Sequence, residues 1–594
     1  DDHTVKFGFD YEDNDIFNLF GQRVFGSYTF DSVADYAANR ASNYRYSRSN
    51  SGNIDDIAAQ WGMRNVGVFI QDTWAVSNNL TLTFGLRYDE PMVKQSPAFN
   101  AAASAAFGRR NDQTIDGNGL FEPRFGFNYT FDSDRPTQLR GGVGLFQGAA
   151  ATVWLSNPYS NTGLAFTDFN FPSQAAVSSG GILFNPDVNA QPTGNGSVGG
   201  STQSVDFVDS KLGQPSIWKA NLAFDTELPW YGIVASAEAV VTKVNEAIYY
   251  QQLNLGGVTR AGQDGRDLFW NAAGLDSRCW NAAGTNVNGR AAPDACVRTS
   301  VATRPSLVDA RSGRNAGYND AFIARSTDKG GSESFTVGLN KPFNGGDWSW
   351  GLWYTYTDAD EVSGLTSSVS GSNYANNAVF QANENVASTA AYEIKNSILG
   401  TLNWKHAFFG DYETKLGLIY QGRNGRPYSY AFDNDANGDG RLNDLLYIPA
   451  GRGDVLFGSA GEEQAFWNYI EGNEYLAARR GQVAERNGAR NSWINQFDLH
   501  IEQEIPGFFK GNKASVWLDV MNVGNLLNKK WGQVEEYGFP GMRGVVEYGG
   551  IDAASGKYVY RFNTPDQATV YDDRGISRWA LQLGFRYQFF HREG

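Results

Sequence analysis

The chain has 594 residues, of which 14% are aromatic, 68 are glycine and only 19% are charged, below the roughly 25% charge of ordinary soluble domains. Its 49 Lys and Arg stand against 64 Asp and Glu, a formal net charge of −15, so no nucleic-acid partner is expected: phosphate binding needs a basic face. No apolar run approaches the roughly 18 residues of a membrane-spanning helix, two cysteines exclude a disulfide-dense scaffold, and four histidines leave little for imidazole chemistry.

The opening residues, DDHTVKFGFDYE, carry no signal-peptide pattern and read as the middle of a strand. From there, period-two alternation predicts strands at 4–12, 64–75, 79–90, 121–132, 137–147, 216–228, 232–251, 333–342, 347–358, 394–407, 412–425, 494–505, 513–522 and 577–590. In the third, Leu80, Leu82, Phe84, Leu86 and Tyr88 fall on one face, and Thr81, Thr83, Gly85, Arg87 and Asp89 on the other. In the last, Trp579, Leu581, Leu583, Phe585, Tyr587 and Phe589 alternate with Ala580, Gln582, Gly584, Arg586 and Gln588. A soluble sandwich also alternates. Strand length and aromatics towards the ends of the apolar face favour strands that cross a bilayer at a tilt.

The links decide between them. Short ones (76–78, 133–136, 229–231, 343–346, 408–411, 506–512) alternate strictly with long ones (13–63, 91–120, 148–215, 252–332, 359–393, 426–493, 523–576). Short periplasmic turns and long extracellular loops are the habit of an outer-membrane barrel. The expected fold class is all-β, a transmembrane antiparallel β-barrel occupying 1–594, in contact with outer-membrane lipid.

Within loop 426–493, Asp435, Asn437, Asp439, Gly440 and Asn443 occupy positions 1, 3, 5, 6 and 9 of a calcium-loop start, where alternate oxygens converge on a hard cation. Position 12 is Leu446, so Asp444 or Asp433 is the candidate for the missing acid. Asx-rich polar turns have the same composition without an ion. A Ca²⁺ bound here would pin an extracellular loop rather than catalyse. In loop 252–332, Cys279 and Cys296 form an isolated pair, expected as a disulfide in an oxidising exterior. Spacings of three and four in 461–486 predict one or two short helices, with Trp467 a weak ligand-binding candidate. Trp154, Tyr159, Trp270, Trp280 and Tyr374 are further candidates for stacking on sugars or peptides. The Arg-Gly-Asp tripeptide at 452–454 reads as chance. His3, His406 and His500 fall on strands and His591 follows the last one; with no nucleophile–base–acid set in view, no enzyme activity is expected. Inward positions such as Thr81, Arg87, Arg124, Asn128, Arg140, Lys219 and Asn221 give a polar lumen suited to water or to a folded plug.

Several stretches, in order across almost the whole chain, resemble the C-terminal barrel of TonB-dependent outer-membrane receptors of the Oar-like group. They are HTVKFGFDYE (3–12), GVFIQDTWAVSNNLTLTFGLRYDEP (67–91), FEPRFGFNYTFD (121–132), QLRGGVGLF (138–146), YQGRNGRPYSY (420–430), DANGDGRLNDLLYIP (435–449) and LDVMNVGNLLNKKWG (518–532). The last strand is similar to the aromatic-ended segment read by the barrel-assembly machinery, although HREG follows Phe590. The resemblance implies a barrel of about 22 strands with a plugged lumen, so that about eight strands and the plug lie outside this sequence. It also implies ligand uptake powered by the TonB complex; the loop aromatics suggest a peptide or glycan as that ligand. The alternatives are a passive fourteen-stranded channel and a surface adhesion or assembly protein.

Overall fold

A computed structural model of the protein describes residues 2–171, 173–195, 203–280, 286–287, 290–291, 311–509, 511–571 and 573–589. All fourteen predicted strands are present: β1 (His3–Asn18), β2 (Ala59–Ala75), β3 (Leu80–Val93), β4 (Leu120–Thr130), β5 (Thr137–Gln147), β6 (Ser216–Glu227), β7 (Val234–Gln252), β8 (Gly330–Lys341), β9 (Trp348–Glu361), β10 (Asn396–Phe409), β11 (Tyr412–Arg423), β12 (Ile494–Pro506), β13 (Lys513–Met521) and β14 (Ala580–Gln588). Each pairs antiparallel with its neighbour in sequence, from β1 on β2 through to β13 on β14. Three shorter strands, Gln203–Val208, Tyr318–Thr327 and Ser388–Thr389, join the same sheet from the long loops. Among the described residues, β1 has no wall partner but β2, and β14 none but β13.

The alternation is realised as read. Leu86 and Phe84 are exposed on the lipid side, and the Phe84 ring packs 5.3 Å from Phe125 on the next strand. The first two strands run further than the alternation predicted, because the acidic end of β1 is paired above the membrane. Asp13 stands opposite Arg64 in register, and Lys94 reaches Asp13 at 2.5 Å and Asp15 at 2.8 Å.

The long loops fold together into a cap with cores of its own. The largest core draws Leu268, Trp270 and Trp280 from 252–332, Tyr430, Phe432, Phe466 and Ile470 from 426–493, and Tyr548, Tyr558 and Tyr560 from 523–576. The predicted helices are Ala460–Glu471 and Glu474–Ala477. Ser459 caps the first by accepting the Glu462 amide at 3.2 Å, and its inner face buries Phe466, Trp467 and Ile470.

Candidate functional site

The inward face of the wall is a lattice of paired polar groups. Cross-strand register places Arg124, Gly144 and Lys219 in one row, and Thr81, Asn128, Arg140 and Ala223 in another. Arg87 holds Asp89 at 2.5 Å and reaches across the sheet to Asp10 at 2.6 Å. Arg124 holds Glu122 at 2.7 Å, Arg140 pairs with Asp225, and Asn221 donates weakly to Glu238 at 3.4 Å. Further round, Lys415 lies between Glu502 and Glu504 at 3.3 and 3.0 Å. Hydroxyl pairs such as Thr336–Thr355 continue the lining. Such a face tolerates water or a polar folded segment, and it carries rings as well, Phe69 under Arg87 and Trp517 under Arg586.

Above it, the cap is tied together at the motif of 435–444. Gly438 and Gly440 adopt φ of +87° and +91°, conformations that a side chain strains. They let the Asp435 carboxylate accept their amides at 2.6 and 2.8 Å. Asn437 accepts the Asp439 amide at 2.7 Å and Asp439 accepts that of Arg441 at 2.8 Å. Three loops meet here. Phe269 donates its amide to the Asn437 carbonyl at 2.6 Å, Tyr374 donates its hydroxyl to Asp439 at 3.0 Å, and Asn434 exchanges two hydrogen bonds with the Tyr548 backbone. Burial, compounded by the mutual repulsion of the acids, raises the pKa of Asp435 well above the ordinary range and that of Asp439 to about 7. Among the described residues, no three His, Cys, Asp or Glu side chains form a metal-ligating group.

The two acids considered for the twelfth position part company. Asp444 spends its carboxylate on the Arg266 guanidinium at 2.7 Å and on the amides of Ala436 and Asn437. Asp433 sits half-buried against Gly544, with Asp566 repelling it. Arg266, fully buried, also holds Asp264 at 3.3 Å and donates to the Leu445 carbonyl. Nothing in the sequence marked it, since a lone arginine in a Gly-rich loop reads as a solvated charge. The same is true of Arg486, 5% exposed, which donates to the carbonyls of Glu361 and Val386 at 2.8 and 2.6 Å. A second joint was equally silent: buried Asp206 accepts from Asn161 at 2.7 Å and from Ser370 at 2.9 Å.

The aromatic candidates are packed rather than presented. Trp270, Trp280 and Trp467 belong to the large cap core, Tyr374 packs on Phe322, and half-buried Trp154 donates its indole to the Ser367 carbonyl at 2.8 Å. Tyr159 stacks on Trp61 at 5.1 Å. Burial of large rings is what gives the loops a core, and Trp270, Trp280, Tyr374 and Trp467 are spent on it, whereas Trp154 and Tyr159 stay partly exposed. Asp454 of the Arg-Gly-Asp tripeptide is engaged by Gln263, Tyr447 and the Ala450 amide. His3, His406 and His500 pair with Asp72, Asp347 and Asp519 along the strands. Cys279 is buried in the cap core; Cys296 and His591 lie outside the described residues.

Residues 1–533 match the family described as outer membrane beta barrel domain. The chain belongs to this family. The barrel therefore resides in the bacterial outer membrane, its lipid-facing and lumen-facing residues alternating as that location demands. No curated protein matches it. Among solved structures, the barrel is similar to the outer membrane transporter YddB from Escherichia coli at 12% identity, over 99% of this chain and 52% of that one, with a TM-score of 0.45. It is also similar to the copper transporter OprC, at 12% identity over 99% and 55% with a TM-score of 0.39. A ferric enterobactin receptor from Pseudomonas aeruginosa matches at 9% identity over 99% and 51%, also with a TM-score of 0.39. The chain spans about half the length of these structures.

Proposed function

We propose that this barrel is the wall and extracellular cap of a TonB-dependent receptor of the Oar-like group, which captures a peptide or glycan outside and passes it along the polar lumen when the periplasmic TonB complex supplies energy. The observation that carries the reading is the pair of wall strands at the ends of the sheet: β1 and β14 each have one wall partner among the described residues. A passive fourteen-stranded channel would need those two strands zipped together, because a bilayer leaves no water to satisfy an open edge. Cysteines introduced at Phe7 and Leu583, on the two terminal wall strands, test this in intact outer membranes. No cross-link is expected; an efficient disulfide would establish the closed channel. Liposomes loaded with the purified protein should likewise fail to swell in a small sugar, whereas free permeation would replace the receptor reading with a diffusion pore.

The pair Cys279–Cys296 is proposed as a disulfide that staples loop 252–332 in the oxidising exterior. Thiol titration of the unfolded, unreduced protein is expected to find none free, and two free thiols would remove the staple.

A further inference from the structure

The motif at 435–444 holds an acceptor that its own fold leaves unused. Asn443 is fully buried, and its amide nitrogen donates to the carbonyls of Tyr374 at 3.1 Å and Asn377 at 2.8 Å. Those two bonds fix which end of the side chain is oxygen. That oxygen has no hydrogen-bond donor, an arrangement that costs about 1–3 kcal/mol in a protein interior. It occupies the ninth position of the D-x-N-x-D-G-x-x-N run, at which such loops turn a side chain to a cation directly or through a water. The carboxylates of Asp435 and Asp439 crowd the same loop, accepting amide hydrogens and the Tyr374 hydroxyl, with the Arg311 guanidinium beside Gly440, while Arg266 neutralises the third acid, Asp444.

We infer that the 435–444 loop binds one Ca²⁺ through the carboxylates of Asp435 and Asp439 and the side-chain oxygen of Asn443, and that the ion locks together the three extracellular loops that meet there. The donors are all oxygens, which selects a hard cation over zinc or copper. Two carboxylates with amide, carbonyl and water oxygens suffice for Ca²⁺, whose coordination is flexible in number and geometry, so a third acid is not required. Of the three, Asp435 is partly exposed, and Asp439 and Asn443 are buried. The inference concerns the cap alone and stands whether or not the barrel transports anything.

Trp270 supplies the readout. Its indole donates to the Ala436 carbonyl at 3.0 Å and its ring lies against Gly438, where an added Cβ would sit 2.9 Å away. Terbium, a luminescent stand-in for Ca²⁺, should therefore light up when tryptophan is excited in the purified protein in detergent, and Ca²⁺ should quench the signal by displacing it. Asp439→Asn should weaken binding by about tenfold or more, since carboxylate count sets affinity in such loops, while Asp433→Asn should bind as the parent does. Trp270→Phe should lose the emission yet keep Ca²⁺ binding by calorimetry, which locates the ion. If Asp439→Asn does not fold, judged by heat-modifiable migration, Asp435→Asn carries the same expectation. Absence of sensitised emission together with no calorimetric Ca²⁺ heat, or undiminished binding by the folded variant, overturns the site and leaves a water as the partner of Asn443.

Discussion

Wall and cap are built from one chain for two solvents, and their burial patterns are inverted. In the wall, Phe7, Phe9, Leu86 and Leu583 stand exposed while arginines and acids face inward in pairs. In the cap, Phe466, Tyr560 and Trp280 are interior and the loops close around them as a water-soluble domain does. The wall is held by its ladder of backbone hydrogen bonds, which hydrocarbon makes obligatory. The cap is held by apolar burial and by a few buried charges, of which Arg266 is the centre. A substitution should therefore injure one region and spare the other.

The largest separation is expected at Arg266. Arg266→Ala strands the buried carboxylates of Asp264 and Asp444 and should cost the cap about 3–5 kcal/mol. Extracellular loops should become protease-sensitive on whole cells while the heat-modifiable migration of the barrel persists; loss of both together would mean that the regions are not separable. Leu86→Arg inverts the experiment. A cation facing lipid costs about 2–4 kcal/mol near the midplane, so barrel assembly should fall while any assembled protein keeps a protease-resistant cap.

Acid should distinguish the regions next. Burial, with the nearby charge of Asp320 adding to it, raises the Asp206 carboxyl from 3.8 to about 6 despite the hydrogen bonds from Asn161 and Ser370. A raised carboxyl pKa means that the folded cap binds the proton more tightly than the unfolded loop does. This contribution, up to about 3 kcal/mol, is complete below pH 3.8 and lost as pH rises through about 6. Tryptophan-detected melting of the cap should thus weaken between pH 4 and 6.5, and Asp206→Asn should flatten that dependence; equal slopes in parent and variant would deny Asp206 the role. Ser459→Ala, which removes the cap of the Ala460–Glu471 helix, should cost about 1 kcal/mol, visible only as faster local hydrogen exchange in that helix.

The wall was legible because lipid imposes a period of two on both faces at once, and the alternation at 80–89 and 579–589 is enforced at every residue. Its ends were not, because the acidic DNDIFN tail of β1 pairs in water, where Asp13 and Asp15 are satisfied by Lys94 and no apolar face is needed. The cap yielded only local signals, a calcium-like spacing and two helices. Which loop Arg266, Ser370 or Tyr374 would reach depends on contacts 65 to 178 residues apart, and no periodicity encodes those. Burial also reversed the meaning of the aromatics: Trp270 and Trp467 carry the same composition signal whether they grip a ligand or fill a core.

The unequal end strands, sixteen residues in β1 and nine in β14, bear on biogenesis. Each has one wall partner among the described residues, and hydrocarbon will not accept the other row of amides and carbonyls bare. Membrane entry is then conditional: both rows have to be hydrogen-bonded, to each other or to other strands, before the sheet can leave the aqueous side, which makes insertion an all-or-none event timed by its last hydrogen-bonded seam.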